Sequence, residues 1–411
     1  MMRFLHLADV HLDTPFAGRA PRLRSRLREA VRDAFRRAVD LAIAEELDAV
    51  LIAGDLFDSD TFSFETERFL VAQLRRLVES SITVIYATGN HDPGTDPGRR
   101  GAIRWPRGVF VADGTEALRV KVLDRGGRLA GWVTAVGHRT ARESGDLTPH
   151  FPRPDGHLPE VAVLHAQVQS SAGAAEHDRY APTTVEALVS KPYHYWALGH
   201  VHRRQEILGE PAIHYPGNLQ GRTPAESGPR GGLLVELAAG RTPQVAFRAF
   251  APVRWETIEV TGLDSVDTLD GLVRAVHRRW DSWLEDEAPA EWMVRVRLRG
   301  GTPLWKLLRD PAERETLEAE LTGELDVLDT AVDADRVHAP VDPKEHMDRD
   351  DALGLALRRL AGIRAGEALP DTLAQELQGW EEAEESLSEY LRRILEGANA
   401  DLVVRMTKTT S

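Results

Sequence analysis

Short apolar runs alternate with longer helix-like segments through the first 250 residues of the 411-residue chain. Short apolar runs predict strands at residues 3–8, 48–53, 82–87, 161–164, 195–198 and 233–237. Apolar residues at helical spacing predict helices at residues 23–46 and 65–78, and a Gly-Gly turn predicts a hairpin at residues 115–136. Alternation of strands and helices is typical of an α/β layered domain.

The pattern changes after Pro252. A strand at residues 255–260, a helix at 265–284 and a strand at 293–298 indicate a small β-α-β unit. From Pro311 the chain is acidic and helical, and Leu328 completes the predicted leucine stripe of that helix. A last amphipathic helix is predicted at residues 371–396. We therefore predict three domains, at residues 1–250, 251–335 and 336–411.

Composition narrows the possible classes of protein. The chain has no cysteine, which excludes disulfides, thiolate zinc sites and cysteine nucleophiles. It has no apolar run of the length that spans a membrane, and its start has no recognisable secretory signal. We expect a cytoplasmic protein without a membrane partner, in which any metal is bound by His, Asp, Glu or Asn.

The net charge of −14 is unevenly distributed. Residues 1–250 carry a net charge of +1, whereas residues 251–411 carry −15. Eight arginines lie between residues 19 and 37, beside only two acidic residues. Either a basic surface that attracts phosphates or an ordinary solvated helix face would explain this cluster.

Metal-binding types of residue follow the predicted strands at five places. They are Asp9 and His11, Asp55, Asn90 and His91, His165, and His200 and His202. The carboxyl ends of strands in an α/β sheet meet in one crevice, so we expect these side chains to converge. Oxygen and imidazole ligands suit Mn²⁺, Fe²⁺ or Zn²⁺, and a carboxylate such as that of Asp55 can bridge two ions.

These motifs resemble those of the calcineurin-like metallophosphoesterases. The sequences LADVHLDTPF, AGDLFDS, TGNHDP and LGHVH are similar to those of the SbcD/Mre-type DNA repair nucleases, and YPGNLQGR resembles the YhaO-like branch. The resemblance covers about residues 1–250. It implies a four-layer α-β-β-α sandwich, with a small α+β capping domain and a helical C-terminal segment.

The resemblance also implies roles for individual residues. Two divalent ions, expected to be Mn²⁺, would activate a water that hydrolyses a phosphodiester. One ion would be bound by Asp9, His11, Asp55 and His202, and the other by Asp55, Asn90, His165 and His200. His91 would protonate the leaving oxygen, and Asp58 would orient His91 as an Asp–His dyad. Asp58 could instead be a helix N-cap.

Three groups of arginines favour DNA as the substrate, bound without sequence preference. They are Arg19, Arg22 and Arg26; Arg99, Arg100 and Arg104; and Arg203 with Arg204. The phosphate-clamping arginine of the family's protein phosphatases is missing, because Ser59 and Asp60 occupy the corresponding positions. The alternatives are a phosphodiesterase acting on small or cyclic nucleotides and a non-catalytic DNA-binding subunit.

The resemblance implies a coiled-coil ATPase partner that is SbcC-like or YhaN-like, and a possible homodimer. Residues 373–394 place apolar side chains on one face of the last predicted helix. This face could bind the ATPase, although it could equally pack on its own protein.

Overall fold

The computed structural model describes residues 1–58, 62–95, 101, 103–172, 180–238, 240–285, 287–288, 290–365, 390–391, 395 and 397–407. The chain divides into two compact units, Met1–Trp255 and Glu256–Ser411. The division lies five residues after the predicted boundary at residue 250.

The first unit contains two six-stranded sheets. Its strands are β1 (Met2–Leu7), β2 (Ala49–Ala53), β3 (Thr83–Ala87), β4 (Val109–Ala112), β5 (Leu118–Leu123), β6 (Leu129–Val136), β7 (Glu160–His165), β8 (Tyr195–Gly199), β9 (Gln205–Gly209), β10 (Ala212–Tyr215), β11 (Gly231–Leu237) and β12 (Gln244–Ala249). The first sheet has the order β12-β11-β1-β2-β3-β4 and the second has the order β5-β6-β7-β8-β10-β9. The predicted hairpin is confirmed, because β5 and β6 pair antiparallel.

The inner faces of the two sheets form one core. Phe4, Leu51 and Ile85 of the first sheet lie in the same buried cluster as Val133 and Val163 of the second. Removal of this apolar surface from water drives the sheets together. β2 is buried along its whole length, as is usual for a parallel strand covered on both faces.

Helices cover the outer faces of both sheets. α1 (Pro21–Ala44) and α2 (Phe64–Glu79) pack against the first sheet, and α3 (Val185–Val189) contributes Leu188 to the apolar cluster outside the second. Pro21 occupies the first turn of α1, where its missing N–H is tolerated. The side chain of Ser63 caps α2 by accepting from the Thr66 N–H at 3.1 Å. The predicted four-layer α-β-β-α architecture is confirmed.

A three-stranded sheet in the order β13-β14-β15 begins at the end of the first unit and belongs mostly to the second. The sheet comprises β13 (Val253–Val260), β14 (Glu291–Gly301) and β15 (Asp329–His338), and it is accompanied by α4 (Leu269–Leu284) and α5 (Pro311–Glu324). Trp280, Trp292, Leu317 and Leu321 are buried in its core. The predicted β-α-β unit is present as β13, α4 and β14.

The predicted helix after Pro311 is wrong beyond Glu324. Leu328 immediately precedes β15, in which Thr330, Ala334 and Val337 are buried among acidic and basic residues. The many charges of this strand hide its apolar positions in the sequence. β15 also crosses residue 335, so the predicted boundary there falls inside a strand. The division into three domains stays a prediction.

Two further helices, α6 (Ala352–Ala365) and α7 (Ala398–Thr407), pack through Leu353, Leu357 and Val403. The predicted helix at residues 371–396 lies almost entirely outside the described residues. Among the residues that are described, no helix combines the length and the apolar character needed to cross a bilayer.

Candidate metal centre

Five strands from both sheets end at the same edge of the first unit. The ends of β1, β2 and β3 carry Asp9 and His11, Asp55, and Asn90 and His91, whereas β7 and β8 end at His165 and lead to His200 and His202. All seven predicted metal ligands meet here, because the strands that precede them run parallel and adjacent within each sheet.

The first group of side chains contains Asp9, His11 and His202, whose nearest ligand atoms all lie within 4.8 Å of one another. The Nε2 atoms of His11 and His202 are 3.3 Å apart. His202 Nε2 is 3.8 Å from Asp9 Oδ1, and His11 Nε2 is 3.7 Å from Asp55 Oδ2.

The second group contains Asn90, His165 and His200. Asn90 Oδ1 lies 2.9 Å from His165 Nε2 and 3.2 Å from His200 Nδ1. His165 Nε2 is also 3.4 Å from Asp55 Oδ2. Oδ2 of Asp55 therefore faces both groups, which is the position that a bridging carboxylate requires.

The backbone around these side chains is strained. Asp9, His11, Asp55 and His200 all have positive φ, with angles of 50°, 50°, 48° and 100°. Non-glycine residues in this region are uncommon and are concentrated at functional sites. Gly54, with φ of 84°, leaves room for the His165 imidazole, which a Cβ at this position would overlap.

Burial and charge set the protonation of the cluster. Burial, together with the positive charge of Arg222, lowers the pKa of His11 to about 3. Burial opposes the charged form of His165, but the carboxylates of Asp55 and Asp9 outweigh it and raise the pKa of His165 to about 9. Burial also disfavours ionisation of Asp55, yet His165 lowers its pKa well below the usual range. The carboxylates of the cluster therefore favour positive charge at this position.

The hydrogen bonds of the histidines test whether a cation fits. His165 Nδ1 donates to the Ala53 carbonyl at 2.9 Å, so in the neutral imidazole Nε2 is an acceptor facing the oxygens of Asn90 and Asp55. His202 Nδ1 faces Glu226 at 2.6 Å, so the neutral ring keeps a lone pair on Nε2, which lies 3.3 Å from His11 Nε2. Acceptors opposed in this way repel each other unless a proton or a metal cation lies between them, so the residues present fit divalent metal ions.

Comparison with known proteins identifies the family. The family model of the calcineurin-like phosphoesterases matches residues 2–204. The uncharacterized metallophosphoesterase YhaO of Bacillus subtilis is 31% identical over 310 residues, which are 74% of this chain and 74% of that protein. The chain belongs to the calcineurin-like phosphoesterase family. Proteins of this family hydrolyse phosphoesters with divalent metal ions.

Two other relatives of this phosphoesterase are named as a nuclease subunit and as a DNA repair protein. One subunit of the SbcCD nuclease of Rhodobacter capsulatus, SbcD, is 29% identical over 289 residues, covering 59% of this chain and 68% of that protein. The DNA double-strand break repair protein Mre11 of Methanopyrus kandleri is 28% identical over 287 residues, covering 64% of this chain and 60% of that protein. The resemblance seen in the motifs is thus confirmed at moderate identity.

The cleft above the phosphoesterase cluster has a volume of about 800 Å³. Polar side chains dominate its walls, which suits a charged ester better than an apolar ligand. It is lined by Asp55, Asn90, His91, Tyr180, His200, His202, Arg203, Arg222, Thr223, Ala225, Glu226, Ser227 and Arg230.

His91 lies in this cleft, and its described hydrogen bond to Asp58 runs to the main chain rather than to the carboxylate of the predicted dyad. His91 Nδ1 donates to the main-chain carbonyl of Asp58 at 2.9 Å. The Asp58 carboxylate instead accepts from Arg222 Nη1 at 2.6 Å and lies 3.0 Å from His11 Nδ1. The fully charged guanidinium competes for the carboxylate. The N-cap of the following helix, α2, is Ser63 and not Asp58.

Three residues of the site were not assigned roles from the sequence. Arg222 and Glu226 lie in the loop between β10 and β11 and contact Asp58 and His202. The Asp92 carboxylate accepts from the N–H groups of Leu56, Phe57 and Gly89 at 2.7, 3.2 and 2.6 Å. Asp92 thereby holds the segments that carry Asp55 and Asn90 together. The position of Asp92 in the GNHD motif could have indicated a role in the site. Glu226 is a single acidic residue in a loop, and nothing in its local sequence indicates one.

The predicted DNA-contacting arginines are dispersed. Arg203 lines the cleft, whereas the neighbouring Arg204 stacks over the Phe247 ring at 3.9 Å. Arg19 lies over the Trp255 ring at 5.3 Å, and Arg26 pairs with Asp33 at 3.6 Å. Arg22 and Arg104 are exposed, and Arg99 and Arg100 lie outside the described residues. Much of the arginine cluster at residues 19–37 therefore makes internal contacts.

Proposed function

We propose that this phosphoesterase is a metal-dependent DNA nuclease of DNA repair that uses two Mn²⁺ ions. The observation that carries the proposal is the set of opposed acceptor atoms in the cluster, centred on Asp55. The names of the SbcCD nuclease and of Mre11 support a DNA substrate. An open, polar cleft containing Arg203 and Arg222 suits a phosphate backbone.

The seven ligand-type side chains divide between two metal positions. Asp9, His11, Asp55 and His202 would bind one ion. The other would be bound by Asp55, Asn90, His165 and His200. When bound, two such ions generate a water nucleophile near neutral pH and neutralise the charge that develops on the phosphate oxygens.

His91 is the proposed general acid. The main-chain N–H of His91 donates to Asp55 Oδ1 at 2.9 Å, and the ring Nδ1 donates to the main-chain carbonyl of Asp58. Because Nδ1 is engaged there, Nε2 is the nitrogen from which a proton can reach the leaving sugar oxygen. Asp58 contributes its carbonyl to His91 and its carboxylate to Arg222, so one residue orients two side chains of the cleft.

The substrate test compares two phosphodiesters. Purified protein with Mn²⁺ would be incubated with end-labelled linear duplex DNA and, separately, with bis(4-nitrophenyl) phosphate. We expect cleavage of both. Cleavage of only the small ester would contradict the nuclease and favour a phosphodiesterase of small nucleotides. DNA binding without cleavage of either substrate would favour a non-catalytic subunit.

Replacement of His91 tests the proton donor. We expect His91→Asn to lower turnover of duplex DNA by about 10²–10⁴-fold, because a positioned general acid contributes about that factor. The variant should still bind two Mn²⁺, as measured by isothermal titration. His157→Asn, at an exposed position, is the matched control. Wild-type turnover in His91→Asn would contradict this role.

We also propose a coiled-coil ATPase partner that is SbcC-like or YhaN-like. The support is the relative named as one subunit of the SbcCD nuclease. Co-expression with such an ATPase followed by size-exclusion chromatography would show one complex. Separate elution of the two proteins would contradict this partner, and elution of the nuclease alone would also report whether it forms a homodimer.

A further inference from the structure

The loop from Gly221 to Arg230 reaches one side of the metal cluster through Glu226. The side chain of Glu226 is only 12% exposed. Its Oε1 lies 2.6 Å from His202 Nδ1, and its Oε2 accepts from the N–H groups of Arg222 and Thr223 at 2.5 and 3.2 Å. One oxygen of the carboxylate therefore contacts the histidine, and the other binds the main chain of the loop.

This contact decides which nitrogen of His202 carries the proton. An ionised carboxylate can only accept, so Nδ1 is the donor in the neutral imidazole and Nε2 keeps its lone pair. It is Nε2 of His202 that lies 3.3 Å from His11 Nε2 and 3.8 Å from Asp9 Oδ1. Glu226 therefore holds His202 in the only neutral tautomer that presents a ligand atom to this group.

The second group of ligands is oriented differently. His165 Nδ1 donates to the main-chain carbonyl of Ala53 at 2.9 Å, and its Nε2 faces Asn90. Side-chain substitution cannot remove that carbonyl. Among the described contacts of Glu226, none joins it to Asn90, His165 or His200. The influence of Glu226 should therefore be confined to one of the two metal positions.

We propose that Glu226 is a positioning residue for the ion bound by Asp9, His11, Asp55 and His202, and that it acts by fixing the tautomer and orientation of His202. The inference rests on the two-metal centre proposed above. Carboxylates that orient a metal-binding histidine are a general feature of metal sites, and their loss lowers metal affinity by about 10–100-fold.

Glu226→Gln is the decisive variant, because it keeps the shape of the side chain. The amide oxygen can still accept from the N–H groups of Arg222 and Thr223, so the loop keeps its anchor. The amide NH₂ would then face His202 Nδ1 and force that nitrogen to accept, which moves the histidine proton to Nε2. The variant therefore changes the tautomer of His202 without removing the hydrogen bonds that anchor the loop.

Titration of the metal-free full-length chain with Mn²⁺ measures the effect. We expect wild type to bind two ions, and Glu226→Gln to bind one ion as wild type does and the other about 10–100-fold more weakly. Electron paramagnetic resonance should show a coupled Mn²⁺ pair in wild type and an isolated ion in the variant at the same metal concentration. Glu206→Gln, at an exposed position of β9, removes the same charge and should match wild type.

A double-variant cycle guards against a merely structural effect. If Glu226 acts through His202, combining Glu226→Gln with His202→Ala should cost no more affinity than His202→Ala alone. Additive losses would overturn the inference, as would two ions at wild-type affinity in Glu226→Gln or equal weakening of both ions. Those results would leave the proposed function intact. A wild-type protein that binds no Mn²⁺ would overturn the metal centre itself and the inference with it.

Discussion

The two sides of the cluster present the same chemistry but are supported in different ways. We call Asp55, Asn90 and His165 the floor, and Asp58, His202, Arg222 and Glu226 the rim. His165 is wholly buried and bonded to a main-chain carbonyl, whereas His202 is 11% exposed and bonded to a side chain. The floor is thus fixed by the backbone of the sheets. The rim depends on single side chains of one loop, which makes it the part that substitution can tune.

The largest effect should come from the carboxylate that the two ligand groups share. Asp55→Asn removes the negative charge that faces both groups, so we expect both metal affinities to fall and turnover to drop by at least about 10³-fold, or about 4 kcal/mol. Mn²⁺ stoichiometry and hydrolysis of bis(4-nitrophenyl) phosphate measure the result. Asp113→Asn, at an exposed position, is the control. Retention of two tightly bound ions would show that Asp55 is not shared.

The backbone support of the floor can be broken at Gly54. Gly54→Ala places a Cβ where the His165 imidazole lies and imposes the φ of 84° on a residue that disfavours it. We expect the free energy of unfolding to fall by about 2–4 kcal/mol, from strain and overpacking together. Urea denaturation of the metal-free protein measures it. Gly114→Ala, where a Cβ would meet nothing within 4 Å, should change little. Equal stability of the two variants would argue against a rigid floor.

The floor was accessible from the sequence, whereas much of the rim was not. Asp55, Asn90 and His165 each follow or end a readable strand, and parallel strands force their ends together. The convergence of these side chains was therefore predictable before any distance was known. Glu226 sits in a loop rich in Gly, Pro and Ser, where nothing in the local pattern reports that it touches a histidine 24 residues earlier.

Two features of the structure differ from what the sequence predicts: the partner of the Asp58 carboxylate and the strand β15. The resemblance to the family implies that the Asp58 carboxylate orients His91, but Arg222, 164 residues further along the chain, donates to that carboxylate. β15 is not predicted from the sequence, because its charged residues outnumber the buried ones that would reveal alternation. Such outcomes depend on which distant groups meet, and local propensity does not contain that information.

The free energy of unfolding of the metal-free protein should depend on pH through two buried histidines, His165 and His11. The pKa of His165 is raised to about 9, so its stabilising protonation is complete below about pH 6.5 and is lost as the pH rises to about 9. The pKa of His11 is lowered to about 3 in the folded protein. Below about pH 6.5 the unfolded chain therefore binds a proton at this histidine that the folded protein does not bind, so the free energy of unfolding falls as the pH drops.

Each of these groups contributes a slope of at most about 1.4 kcal/mol per pH unit. Urea denaturation in chelator from pH 5 to 9.5 measures both limbs. His165→Gln should remove most of the alkaline limb and leave the acid limb. An alkaline limb unchanged in His165→Gln would mean that the carboxylates of the floor do not hold this proton.

The smallest effect should lie at the outer edge of the cleft, where two adjacent arginines differ in position. Arg203 lines the cleft, whereas Arg204 stacks on Phe247. Arg203→Gln should weaken duplex binding severalfold and reduce the slope of log affinity against log salt by about 1, because one phosphate contact is lost. Arg204→Gln should leave both unchanged. Fluorescence anisotropy across a salt series measures this, and equal effects of the two variants would remove Arg203 from the DNA path.

The central claim is that these side chains bind two metal ions at one edge of the paired sheets. Anomalous scattering from crystals soaked in Mn²⁺ tests it most directly. The account predicts two peaks about 3.5–4 Å apart, one among Asp9, His11, Asp55 and His202 and the other among Asp55, Asn90, His165 and His200. A map without a peak at this cluster, in crystals that bind Mn²⁺ elsewhere or not at all, would contradict it.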